Sequence, residues 1–276
     1  MKIHHMNCGT MCPICKRLIN GSGGFFERAN MVCHCLLLES EQGLILVDSG
    51  VGTGDVREPN RRLGAGFVAM LAPLLKMEET AVEQIKAMGF KASDVKHIVP
   101  THLDLDHAGG LSDFPDASVH VFEPEHRHAI KPSLRDSLRF RKAQFEHGPK
   151  WVIHSEPSEI WFGFQAIRPI AGLDLLMVPL IGHTRGHVGV AVKQGNGSGQ
   201  KWLLHCGDAY FHRSEVAIKH EDPMPAGVAF FEKLVQTLPA ERVATQARLR
   251  ELVKSSGDEV ELFCAHDPVE YHRFSK

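Results

Sequence analysis

Thr101-His102-Leu103-Asp104-Leu105-Asp106-His107-Ala108-Gly109-Gly110 sets four candidate metal ligands within six consecutive positions. In an extended segment alternate side chains share a face, so His102, Asp104 and Asp106 can project together while Leu103 and Leu105 turn into packing. His107 follows at the turn, and Ala108, Gly109 and Gly110 leave room for the backbone to bend into a helix close to bound ions. Imidazole combined with carboxylate suits zinc, iron or manganese better than calcium or magnesium. The stretch therefore points to a metal-dependent enzyme.

Further ligands come from more distant sequence. Gly182-His183-Thr184-Arg185-Gly186-His187 follows an apolar run over 173–180, so His183 falls just past the end of a predicted strand. Trp202-Leu203-Leu204-His205-Cys206-Gly207-Asp208 repeats the arrangement with a carboxylate, and Val260-Glu261-Leu262-Phe263-Cys264-Ala265 leads into His266-Asp267. Ligands delivered at strand ends are how a sheet scaffold builds a rigid site.

With an earlier strand ending Leu46-Val47-Asp48-Ser49-Gly50, these motifs resemble, in order and over nearly the whole chain, the metallo-β-lactamase superfamily. The resemblance implies an α/β fold, the αββα sandwich, with two metals in a cleft at one sheet edge. It implies that His102, Asp104 and His183 hold the first metal, that Asp106, His107 and His266 hold the second, and that Asp208 bridges them. Asp48 would support the ligand loops, and His187 would buttress rather than bind metal. The family usually has His where this chain has Asp104; flavo-diiron oxidases of the same superfamily carry a carboxylate there, though theirs is Glu. A carboxylate is a harder donor and favours iron, manganese or a mixed pair. The cofactor expectation is two divalent ions, zinc first, with iron or manganese as alternatives.

The activity implied is a binuclear hydrolase in which metal-bound hydroxide attacks a small lactone or carboxylic ester. Asp106 would shuttle a proton to the leaving group, and Tyr210 would donate a hydrogen bond to the developing oxyanion, with His212 near the substrate. A diiron oxidoreductase of the same fold, a thioester or β-lactam hydrolase, and a metal-poor binding protein are the alternatives. Residues 123–150 carry Arg127, Lys131, Arg135, Arg139, Arg141 and Lys142 with Phe140 and Phe145, and Trp151 follows. They read as a helical insertion that either caps the cleft, as in lactonase members, or covers a sheet face.

Composition fits one domain over 1–276, since 276 residues with 43% hydrophobic content can bury one large core. A net charge of −2 gives no electrostatic case for nucleic acid, so the expected partner is a small-molecule substrate, with a homodimer the oligomer left open. No apolar run reaches the roughly 18 residues of a membrane span. No signal-peptide core follows Met1-Lys2-Ile3-His4-His5-Met6, so a cytoplasmic location is expected. Cys12, Cys15, Cys33 and Cys35 admit two readings, a four-sulfur structural zinc or small buried thiols. Periodicity predicts a hairpin from 31–39 and 44–48, helices over 66–77, 80–88, 226–238 and 240–255, and a short strand over 95–99. Later strands are expected near 151–154, 167–180, 188–194 and 202–206, with a turn at Gly195-Asn196-Gly197-Ser198-Gly199.

Overall fold

The computed structural model describes residues 1–134, 136–195, 200–218 and 223–275. Strands β1 (Lys2–Met11), β2 (Met31–Ser40), β3 (Gly43–Val47), β4 (Val95–Val99), β5 (Ser118–Phe122) and β6 (Lys150–His154) form a six-stranded sheet in that order. The first three strands pair antiparallel, and β3 to β6 run parallel. A short hairpin, β7 (Glu159–Trp161) and β8 (Phe164–Ala166), precedes the second sheet. That sheet comprises β9 (Leu175–Pro179), β10 (Val188–Lys193), β11 (Trp202–His205) and β12 (Val260–Phe263), ordered β12-β11-β10-β9.

Side-chain alternation along β2 shows why the layers stack as they do. Leu36 and Leu38 face the second sheet and pack with Met177, Val190 and Phe263, whereas Cys35 and Leu37 face outward against Val82 and Ile85 of the helix Ala81–Ala87. A strand buried on both faces reads as a continuous apolar run, and β2 is one. The second sheet repeats this, with Leu176, Val178 and Leu204 turned toward Leu249 and Leu252 of the helix Pro239–Ser256. The result is the expected αββα sandwich. The insertion is helical too, with Glu123–Ile130, a 3-10 turn at Asp136–Leu138 and Lys142–Phe145; Arg135 lies outside the described residues.

Several elements depart from the pattern reading. The helix expected over 66–77 spans Ala65–Leu71, because Ala72 adopts φ 44° and Pro73 follows; a residue before proline is pushed out of the α region. The strand expected over 167–180 is confined to Leu175–Pro179, with the β7–β8 hairpin just before it. Positions 196–199 of the expected glycine-rich turn lie outside the described residues. Among the described residues, no helix is long and apolar enough to cross a membrane.

Candidate metal centre

The ligand-type residues gather at strand ends. The loop after β4 carries His102 and Asp104 and runs into the short helix Leu105–Ala108, which carries Asp106 and His107. Asp106 is thus placed by a helical turn, not by the strand alternation expected of it. The loops after β9, β11 and β12 bring in His183, Asp208 and His266. All seven predicted ligands converge. The ligand atoms of His102, Asp104 and His183 lie within 4.8 Å of one another, as do those of His102, His107 and Asp208. Asp208 stands between two sets of imidazoles, its Oδ2 3.4 Å from His183 Nε2 and its Oδ1 3.1 Å from His266 Nε2 and 3.3 Å from His107 Nε2.

The donor set fits divalent cations. His102 Nε2 and Asp208 Oδ1 are buried without a hydrogen-bond partner, although each has polar neighbours close by. Buried polar atoms seldom go unsatisfied, and convergent orphaned donors are what a cation would satisfy. The electrostatics agree. Burial alone would raise Asp208, yet the His266, His107 and His183 imidazoles hold it well below the usual carboxylate range. Burial alone would lower His107, yet Asp208 and Asp48 carry it well above its ordinary value. In the metal-free protein, protons on His107 and His266, both raised by the carboxylates beside them, supply the positive charge that Asp208 demands.

A second ring of contacts fixes the ligands. Asp48, in a left-handed backbone with φ 54°, accepts from Thr101 N at 2.6 Å, and its Oδ2 lies 2.9 Å from His107 Nδ1. That pairing leaves His107 Nε2 to face the site. His266 Nδ1 lies 2.7 Å from Val32 O, which directs its Nε2 inward in the same way. His187 Nε2 accepts from Asp208 N at 2.9 Å, in line with a buttressing role. Gly207, at φ +53°, sits where a Cβ would lie 2.6 Å from that same His187 Nε2.

Two residues of the insertion bear on the site across the chain. Glu125, buried in the insertion, accepts from Leu103 N at 3.0 Å and Gly186 N at 3.1 Å, tying two ligand loops together. Arg139, one of the basic residues of that segment, has its Nε 2.9 Å from Asp104 Oδ1, an ion-pair contact without hydrogen-bond alignment. Neither has a sequence signature, because both act across a gap in sequence that only the folded insertion closes.

Tyr210 requires correction. It is fully buried in the core of the second half, and its hydroxyl donates to the Glu270 carboxylate at 3.1 Å. It is Phe211 that borders the site, stacked on His266 with ring centroids 5.5 Å apart. One residue of offset along the loop reverses which side chain faces in. His212 caps the turn Arg213–Glu215, its Nδ1 2.7 Å from Ser214 Oγ.

The Tyr210 partner gives a pH prediction. Burial pushes the Glu270 carboxyl from 4.5 up to about 7, and Asp267 adds to the rise. The folded chain therefore binds a proton that the unfolded chain releases, so this contribution to stability is complete below about pH 4.5 and lost as pH rises through about 7. Glu270→Gln is expected to stabilise the protein by about 2–3 kcal/mol at about pH 8 and to be nearly neutral at about pH 4. Urea unfolding at the two pH values checks this; equal effects at both would overturn the assignment.

Above the ligands lies a cavity of about 520 Å³. Asp104, Asp106, His183, Asp208 and His266 contribute to its lining, and Phe67, Met70, Leu71, Leu138, Phe211 and Phe231 supply apolar walls. Leu138, Arg139 and Arg141 bring the insertion to the cavity, while Phe140 is buried and Phe145 and Trp151 pack partly buried against the first sheet's outer core. The segment thus borders the cleft and covers a sheet face at once. Among the described residues the four N-terminal sulfurs do not gather: Cys35 packs in the core with Cys8, Cys12 and Cys15 are partly exposed, and Cys33 meets the site.

Comparison with known proteins supports this architecture. Residues 29–259 match the family model of the metallo-beta-lactamase superfamily. The chain is 42% identical over 271 residues to "Probable metallo-hydrolase Rv2300c" of Mycobacterium tuberculosis, covering 97% of this chain and 81% of that one. It is 25% identical to the N-acyl homoserine lactonase AttM of Rhizobium johnstonii, over 100% of this chain and 97% of the relative. Its fold matches a B. thuringiensis AiiA variant crystallised with N-decanoyl-L-homoserine at the active site, with a TM-score of 0.70, 22% identity, and coverage of 99% and 95%.

Proposed function

The chain belongs to the metallo-β-lactamase superfamily, and we propose that it is a binuclear metal-dependent hydrolase opening small lactones or carboxylic esters that carry an apolar chain. One observation carries this: seven ligand-type side chains converge beneath a cavity of about 520 Å³ whose walls are mostly apolar. The likeness to lactonases that act on, or hold, acylated homoserine supports the same class.

When bound, a pair of divalent ions supplies Lewis acidity toward a carbonyl and a nucleophile at neutral pH. His102, Asp104 and His183 would hold one ion, Asp106, His107 and His266 the other, with Asp208 between. Asp106 faces the cavity and is placed to pass a proton to the departing oxygen. Among the described residues no tyrosine lines the cavity: Phe211 forms its wall and Tyr210 is committed to Glu270. Arg139 and Arg141 are the cationic donors that border the cavity.

The test is hydrolysis by protein of known metal content, using homoserine lactones and simple esters with acyl chains of increasing length. Burying each methylene against the walls is worth about 0.8 kcal/mol, so KM is expected to fall about fourfold per added methylene until the cavity fills. Hydrolysis absent from every lactone and ester, or a KM indifferent to chain length, would overturn the proposal.

A further inference from the structure

Cys33 lies near the start of β2, on the same face as Cys35 and two residues closer to the ligand loops. At that end of the strand the outward face meets the site instead of the helix layer. Cys33 Sγ, a carboxylate oxygen of Asp106 and a ring nitrogen of His266 lie within 4.8 Å of one another, and all three residues are buried. Donors sharing one tetrahedral zinc, each about 2.0–2.3 Å from it, stand roughly 3.5 Å apart, so a small adjustment brings the three onto one ion. His266 Nε2 is 3.6 Å from Asp106 Oδ2 and 3.1 Å from Asp208 Oδ1, an oxygen with no hydrogen-bond partner. The same strand also orients the imidazole, through Val32 O on His266 Nδ1. We infer that Cys33 is a further, sulfur ligand of the second metal, joining Asp106, His107, His266 and Asp208.

This rests on the binuclear reading of the site and adds a consequence. The first position is enriched in hard oxygen by Asp104, while the second acquires a soft sulfur donor. Thiolate favours zinc over manganese, so the two positions differ in metal preference and the second is the zinc-selective one.

The experiment uses protein in which Cys12 and Cys15, the two partly exposed cysteines, are replaced by Ser, loaded with two equivalents of cobalt or zinc per chain. With cobalt, a near-ultraviolet thiolate charge-transfer band is expected, and it should be lost in the added Cys33→Ser and Cys33→Ala variants. With zinc, X-ray absorption of the chain with Cys33 intact should show a sulfur scatterer at about 2.3 Å, a readout that does not depend on any Cys33 variant folding. Chelator competition should show the zinc-selective second site losing at least about tenfold in affinity on Cys33→Ala, since even groups that only orient ligands cost that much. Two bound metals with only nitrogen and oxygen around them would overturn the sulfur ligand while leaving the hydrolase intact. Failure to bind either metal would overturn both.

Discussion

Replacing Asp208 by Asn is expected to lower kcat/KM for the proposed lactone or ester substrate by at least about 100-fold, with metal content falling below two per chain. Groups that merely orient a metal ligand cost tenfold to about 100-fold when removed, and Asp208 is placed to do more. Its Oδ2 approaches the first set of imidazoles and its Oδ1 the second, at 3.4 Å from His183 and 3.1 Å from His266. Asn keeps the shape but offers one neutral oxygen and an amide that cannot accept, so one of the two sets loses its donor. The charge matters as much as the lone pairs, because His266, His107 and His183 together hold Asp208 ionised against the cost of burial. His187→Ala is the useful comparison. It removes only the imidazole that accepts the Asp208 amide, and an effect nearer tenfold is expected. Element-resolved metal analysis alongside steady-state kinetics checks both; an Asp208→Asn protein with two metals and unchanged turnover would sink the bridging role.

How far the site could be read from residues alone depended on whether a contact is local or crosses the chain. His102, Asp104, Asp106 and His107 announce themselves because four donors share six positions, and His183, Asp208 and His266 because each ends or just follows an apolar strand. Strands buried on both faces are legible as long apolar runs, which is why β2 and β3 stood out. β1 did not, since Lys2, His4, His5 and Asn7 interrupt its apolar pattern and its strand form comes from pairing with β2. Glu125, Arg139 and Cys33 reach the site only through the tertiary fold, across spans that no spacing rule covers. Tyr210 failed for a subtler reason. It stands two residues after Asp208, but the loop turns Phe211 inward and leaves the phenol to Glu270.

Asp104→His, which restores the residue common in the superfamily, is expected to destabilise the metal-free protein by about 3–5 kcal/mol. The reason is Arg139. Its side chain is 15% exposed, its Nε is 2.9 Å from Asp104 Oδ1, and its Nη2 is 3.3 Å from His183 Nε2. Burial and this guanidinium together lower His183 to about 4, while Asp104 is held ionised well below its usual range by the same arginine and by His102, against the cost of burial. An imidazole in place of the carboxylate would leave a largely buried positive charge beside the His183 ring with its counter-ion gone. The contacts that Arg139 keeps, to His183 O at 3.1 Å and Thr237 Oγ1 at 2.9 Å, hold the cost to the lower part of that range. Neutralising the arginine should then repair the damage, so the double variant Asp104→His with Arg139→Gln is expected to recover about 1–3 kcal/mol as a coupling energy. Urea unfolding of the four metal-free proteins of this cycle measures the coupling directly. A coupling near zero would mean that the carboxylate at 104 and the arginine from the insertion are independent features, and that Asp104 answers to the metal alone.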